Sequence, residues 1–319
     1  MLRHSSVAAA LIAAVLALGL AAPALAQQDS GAVFRAETRL VVLHASVLDR
    51  NGRLITDLPR SAFTVYENDV PQQVKIFSRE DVPISLGLVI DNSGSMADKR
   101  RDVEAAALAL VRNSNPQDEV FIVNFNDEAF LDVDFTNDIQ KLEEGLTRID
   151  SRGGTAMRDA ISMSLDHLLE KGKKDKKVLL VVTDGNDNTS TTTLEKLVQK
   201  VQQSEVLVYA IGLLDKEQRR ERKRAQRALN ALAVASGGLA YYPKETDEVE
   251  PICVRVAHEI RNQYVIAYSP QNQELDGSYR RIKVQVKGRG NPTVRTRSGY
   301  YATPERPTGA ERPRSTARR

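Results

Sequence analysis

Cysteine is nearly absent from this chain: Cys253 is the one thiol in 319 residues. No internal disulfide can form, so the fold must rest on buried apolar surface, which the length and the 41% hydrophobic content allow. Cys253 itself falls on the apolar stripe Ile252, Val256, Ile260 and reads as a small core residue. Histidine is scarce as well, with four in the sequence. His4 lies in the leader, His44 in a β pattern, and His167 and His258 on helical patterns away from the strand ends. A general base is therefore missing where hydrolysis would need one. Neither G-x-S-x-G nor G-x-x-x-x-G-K-[ST] occurs, which removes the nucleophile elbow and the phosphate loop. A basic body is lacking too. The net charge is +3, but residues 303–319 carry +3 and Arg3 adds one, leaving the body near −1. Nucleic-acid binding thus has no electrostatic support.

What is present begins with an export signal. Residues 1–26 combine Arg3 and His4, an apolar run from Val7, and Ala24-Leu25-Ala26 as a small-x-small cleavage site. This predicts a cleaved signal peptide and a periplasmic or extracellular protein, with no transmembrane segment after it. Residues 27–82 read as β structure. Leu40–Val47 is an apolar run rich in branched residues, Asn51-Gly52 suits a tight turn, and short strands around Phe63–Val65 and Val74–Phe77 flank the turn Glu67-Asn68-Asp69. Residues 263–302 are β again: Tyr264–Tyr268, the clean alternation of Arg281–Lys287, and Val294–Tyr301. Neither end has enough strands for a stable unit, so the two are expected to complete one small antiparallel β-sandwich. Residues 303–319, rich in proline and arginine, should form a disordered basic tail.

Between the ends, residues 83–262 alternate strand and helix. Strands are expected at Ile84–Asp91, Glu119–Asn124, Ala129–Phe135, Val178–Asp184, Val206–Gly212 and Leu239–Tyr242. Helices are expected at Asp98–Asn113, Ile139–Ile149, Met157–Leu169, Leu194–Gln203, after the charged run that starts at Lys216, and at Glu248–Asn262. Uninterrupted Val/Leu/Ile strands alternating with helices indicate an α/β fold with a doubly wound, mostly parallel sheet. The charged run, with glutamates among its arginines, reads as the solvated half of an amphipathic helix.

The stretch that organises this region is Leu86–Met96, LGLVIDNSGSM. An apolar strand ends in Asp91, Ser93 and Ser95 follow at alternate positions, and a helix comes next. Open α/β sheets hold ligands beyond the carboxyl ends of their strands. One carboxylate and two hydroxyls so close together supply hard oxygen ligands of the kind Mg²⁺ prefers. Taken alone, the same letters also suit a Ser/Gly turn capping a helix. Two later segments favour the metal: Gly153-Gly154-Thr155 in a loop, and Thr183-Asp184-Gly185 at the end of another apolar strand.

With these segments the chain resembles the von Willebrand factor type A (vWA) domain, and its flanks resemble those of the bacterial secreted "VWFA-related" proteins. The resemblance implies a Rossmann-like vWA sheet with a metal-ion-dependent adhesion site. It assigns the metal to Asp91, Ser93, Ser95, Thr155 and Asp184, with Mg²⁺ the expected ion and Mn²⁺ or Ca²⁺ as alternatives. Two carboxylates only just neutralise a divalent ion, so an Asp or Glu from a protein partner could replace one of its waters. The expectation is a non-catalytic binding module for an acidic side chain on a protein, with no small-molecule substrate. Asp187 adds a possible rim charge. A scaffold whose metal only braces loops is the competing reading, and a metal-dependent hydrolase a remoter one.

Overall fold

The structure is a computed structural model that describes residues 39–304, apart from 80, 148–151, 186, 215–216 and 289. The expected signal peptide and nearly all of the expected tail lie outside the described residues. In chain order the elements are β1 (Val41–Leu48), β2 (Phe63–Glu67), β3 (Val70–Gln72), β4 (Val74–Ser78), β5 (Ile84–Asp91), α1 (Arg100–Arg112), β6 (Glu119–Phe125) and β7 (Ala129–Thr136). Then come α2 (Ile139–Thr147), α3 (Met157–Lys171), β8 (Lys176–Thr183), α4 (Leu194–Ser204), β9 (Leu207–Gly212), α5 (Arg219–Ser236) and β10 (Ala240–Tyr241). The chain closes with α6 (Val249–Arg261), β11 (Tyr264–Tyr268), β12 (Tyr279–Val286), β13 (Thr293–Arg295) and β14 (Gly299–Tyr301).

Six strands form the central sheet in the order β10-β9-β8-β5-β6-β7. All are parallel except the edge strand β7, which returns antiparallel along β6. Strand β5 lies in the middle and is buried along its whole length, as its uncharged sequence demands. Its side chains alternate. Leu86, Leu88 and Ile90 join the layer built with α1 and α6, while Val89 faces the layer of α3, α4 and α5. Both faces are thus covered, and the helices bury one stripe each: Val103, Ala106, Ala107 and Leu110 on α1, Ile252, Cys253, Val256 and Ile260 on α6. Burial also pushes the Cys253 thiol up to about 12, which leaves it inert.

Two antiparallel sheets pack around a separate core, in the orders β13-β1-β11-β4 and β14-β12-β2-β3. Each mixes strands from both ends of the chain: β11 runs between β1 and β4, and β12 between β2 and β14. Val41, Leu43, Ala45 and Val47 of β1 point alternately inward against Phe63, Val65, Ile266 and Ile282. The β2–β3 hairpin turns through Asn68 and Asp69 at φ 48° and 65°, the left-handed pair that a two-residue hairpin turn requires.

Two details differ from expectation. Val294–Tyr301 is not one strand: β13 joins the first sheet and β14 the second. The chain crosses between them where Thr296 and Arg297 press on Gly237, so closely that a Cβ there would lie 2.5 Å from the Arg297 nitrogen. The first helix of the central region begins at Arg100 rather than Asp98. A 3-10 turn over Gly94–Met96 intervenes, and it keeps the Ser93–Ser95 segment outside the regular helix.

Candidate metal centre

Asp91 and Thr183 are the last residues of neighbouring parallel strands, β5 and β8, so the following polar residues emerge side by side. Asp91 is buried. Its Oδ2 accepts from Thr183 Oγ1 at 2.5 Å and its Oδ1 from the Ser93 N–H at 2.8 Å. Ser93 Oγ and Ser95 Oγ lie 3.2 Å apart, and Ser95 Oγ donates to Asp184 Oδ1 at 2.8 Å. Four of the five expected positions are therefore joined by direct bonds. Thr155, also buried, reaches the same place from the loop before α3: a Cβ on Gly185 would lie 3.8 Å from its hydroxyl.

Backbone hydrogen bonds hold these loops together. Arg152 N donates to Asn92 O (3.0 Å), Gly94 N to Gly153 O (3.3 Å), Asn92 N to Phe125 O and Ala156 N to Asn126 O (2.6 Å each). Asn188 braces Thr155, its Oδ1 accepting from the Thr155 N–H (2.9 Å) and its own N–H donating to Thr155 O (3.1 Å). Gly153 is needed for the approach. It sits at φ +77°, and a Cβ there would collide with the Asp127 carboxylate at 2.1 Å, which instead accepts from the Gly154 N–H.

Burial raises the Asp91 carboxyl to about 6. Hydrogen bonds from Thr183 and Ser93 oppose that rise, and the nearby charge of Asp184 adds to it. Two buried acids that repel each other next to three hydroxyls form a donor set that a hard divalent cation would satisfy, and in this respect the residues fit such an ion. Among the described residues no group of three His, Cys, Asp or Glu is placed to hold a metal, so any such site has to draw on hydroxyl oxygens.

Two charged residues at the site escape a reading of the sequence. Lys99 is 5% exposed and its ammonium donates to Asp184 Oδ2 at 2.7 Å. In sequence it heads the run Lys99-Arg100-Arg101 and looks like a solvated helix start. Glu217 comes from the loop before α5, with its Oε1 3.7 Å from where a Cβ on Gly185 would stand. Burial and the charge of Asp184 push its carboxyl up. Asp187, by contrast, is no rim charge. It pairs with the Arg158 guanidinium at 2.8 Å and accepts from the Arg158 N–H and the Ser190 hydroxyl, both at 2.7 Å. The hydrogen bonds described for Asp91 and Asp184 include no histidine; His167 instead pairs with Asp134 at 2.9 Å and stacks on Phe135.

Residues 86–186 match the family model of the von Willebrand factor type A domain. No curated protein matches the chain. Solved structures are similar at low identity. An aerotolerance-related membrane protein from Bacteroides fragilis, carrying multiple mutations to serines, is 18% identical over 56% of this chain and 98% of its own, with a TM-score of 0.46. The vWF domain of the type V pili tip protein Mfa5 from Porphyromonas gingivalis is 12% identical over 56% and 97%, with a TM-score of 0.46. Proximal thread matrix protein 1 from the mussel byssus, solved with a zinc-occupied MIDAS motif, is 15% identical over 61% and 50%, with a TM-score of 0.49. The matched segment runs from β5 through the loop of Thr155 to the end of β8 and includes all five candidate positions, and this part of the chain is a von Willebrand factor type A domain.

Proposed function

We propose that the protein is an exported, non-catalytic binding module that recognises an Asp or Glu side chain on a protein partner through a divalent ion, Mg²⁺ first, at Asp91, Ser93, Ser95, Thr155 and Asp184. The observation that carries this reading is the convergence of two carboxylates and three hydroxyls from three loops at the carboxyl end of the central sheet. When bound, the ion would supply an electrophilic position for a partner's carboxylate. The chain's own part is to aim oxygen atoms at one point and to keep the loops fixed. Export rests on the sequence of residues 1–26. Among the described residues no helix is long and apolar enough to cross a membrane.

The backbone bonds between the loops bear on the competing scaffold. Arg152 and Gly94 already tie the loops of Ser93 and Thr155 to each other, Asn92 and Ala156 tie them to the end of β6, and Asn188 ties the loop after Asp184 to Thr155. A metal is not needed to brace them, which favours a role in recognition. The absence of histidine from the hydrogen bonds of Asp91 and Asp184 speaks against hydrolysis.

Affinity capture from the exported fraction, with Mg²⁺ and with EDTA, tests the reading. A partner should be retained with Mg²⁺, released by EDTA, and weakened about tenfold to a hundredfold by Thr155→Ala, as loss of one liganding hydroxyl at about 1–3 kcal/mol implies. Capture that survives EDTA, Thr155→Ala and neutralisation of the partner's acidic residues would place recognition elsewhere, on the sandwich.

A further inference from the structure

Asp184 is 2% exposed and Lys99 5% exposed, and their contact at 2.7 Å spans 85 residues of sequence. An ammonium does not reach such a position without cost. Burying it is unfavourable unless a carboxylate pairs with it. Its stem comes from the end of the loop that carries Ser93 and Ser95, with the Lys99 N–H bonded to Met96 O and its carbonyl to the Val103 N–H at the start of α1. The head group is thus delivered to the site by the same turn that delivers the two serines. On its other carboxylate oxygen Asp184 accepts from Ser95.

We propose that Lys99 is a fixed counter-cation of the metal centre, which sets the charge that a bound divalent ion presents to an acidic partner. The proposal rests on the metal-binding reading above and adds a residue to it. Asp91 and Asp184, the two carboxylates inside the bonded cluster, carry two negative charges and Lys99 cancels one, while the half-buried Glu217 stands outside that cluster beside Gly185 and is the same in every variant compared below. A divalent ion bound to them then leaves the centre with one positive charge, where without Lys99 it would be neutral. One carboxylate from a partner restores neutrality. Lys99 therefore weakens the hold of the free protein on its metal and strengthens the hold of the loaded protein on a carboxylate. Metal and acidic ligand become a pair, each binding better in the presence of the other, as linkage between two sites requires.

The two effects have opposite signs, and this separates the proposal from a merely structural salt bridge. The test uses the full-length protein with Mn²⁺ as the probe, titrated calorimetrically and by electron paramagnetic resonance, for wild type, Lys99→Met, Lys99→Gln and Lys99→Arg. Lys99→Gln keeps a donor for Asp184 and covers the case in which Lys99→Met fails to fold. Removing the positive charge should tighten Mn²⁺ roughly tenfold or more, given the strength of a unit charge a few ångströms away in a partly buried site. Lys99→Arg should stay close to wild type. Acetate titrated into the Mn²⁺-loaded proteins should bind more weakly to Lys99→Gln than to wild type. Equal or weaker Mn²⁺ binding by both neutral variants, with wild type binding normally, overturns the role of Lys99 and leaves the metal reading intact. No Mn²⁺ binding by wild type or by any variant at millimolar concentration overturns both.

Discussion

Buried carboxylates occur at both ends of the central sheet, and the chain treats them differently. At the end that faces the sandwich, Glu259 of α6 accepts from Ser46 Oγ of β1 at 2.9 Å and from Tyr209 Oη of β9 at 2.6 Å, and pairs with the Arg295 guanidinium of β13. Gln263 adds donors to Ser46 Oγ (3.1 Å) and Tyr209 Oη (3.3 Å). At the other end Asp91 and Asp184 are bonded by Thr183, Ser95, the Ser93 N–H and Lys99. The number of bonds does not distinguish the two clusters. The balance of charge does. Glu259 is one carboxylate matched by one guanidinium, which leaves nothing for a metal to neutralise, whereas Asp91 and Asp184 are two carboxylates with the single ammonium of Lys99 between them. A serine or threonine hydroxyl can rotate its proton away and offer a lone pair instead, so the oxygens that now donate to Asp91 and Asp184 can turn to a cation. One cluster fastens two parts of the fold; the other is built from groups able to change partners.

The comparison breaks first at Glu259. Glu259→Ala leaves the half-buried Arg295 without its counter-charge and should cost about 3 kcal/mol, the low end of the penalty for removing one partner of a buried pair. Urea denaturation monitored by circular dichroism would measure it, and addition of Mg²⁺ should not rescue the variant's lost stability. A loss below about 1 kcal/mol would put the pair among surface ion pairs and remove the contrast.

The next effect belongs to the metal end. Mg²⁺ at a hundredfold excess over its dissociation constant should stabilise the wild type by about 2.7 kcal/mol relative to EDTA. Asp91→Asn, which keeps the side chain's shape, should abolish that difference in melting temperature while changing the EDTA melt little. A variant that still responds fully to Mg²⁺ would move the ion away from Asp91.

The smallest expected effect sharpens the contrast with the sandwich, where a titratable group is buried with no ligand in prospect. His44 of β1 has its Nδ1 buried without a protein hydrogen-bond partner among the described residues. Burial, together with the charges of Lys176 and Arg297, lowers its imidazole to about 3. The unfolded chain takes up this proton near 6.5, whereas the folded chain resists it. The associated stability is complete above about pH 6.5 and is lost as the pH falls towards 3. His44→Gln, which cannot titrate, should flatten the decline in stability between pH 6 and pH 4 by about 2.5 kcal/mol. The measurement is a series of urea midpoints across that range; parallel declines in the two proteins would mean that His44 is protonated in the fold.

Much of the architecture could be read without coordinates because it is written in short-range patterns. The unbroken apolar run of β5 and its termination at Asp91 mark a central buried strand and the place where a site can form. The clean alternation before Lys287 marks a strand with one wet face, β12. Asp91, Ser93 and Ser95 were legible as a set since a turn of five residues brings them together whatever the rest of the chain does. The turn at Glu67-Asn68-Asp69 was equally plain as a turn, though not that Asn68 and Asp69 are left-handed or that it leads into a strand of its own, β3.

The sequence by itself determined the alternation of strands and helices, the need for both chain ends to complete the sandwich, and five oxygen-bearing positions of one candidate site. Only the tertiary structure decided which charges meet. It turned Asp187 onto Arg158, brought Lys99 under Asp184, set Glu217 beside Gly185 and fastened Glu259 to Ser46 across 213 residues of sequence. It also divided the segment after Pro292 between two sheets. The reason is one of range. Periodicity and turn chemistry act over a few residues and leave their mark in the order of the letters. The partner of a long charged side chain depends on how whole elements pack, and Lys99 in sequence is indistinguishable from the solvent-facing Arg101 two positions on.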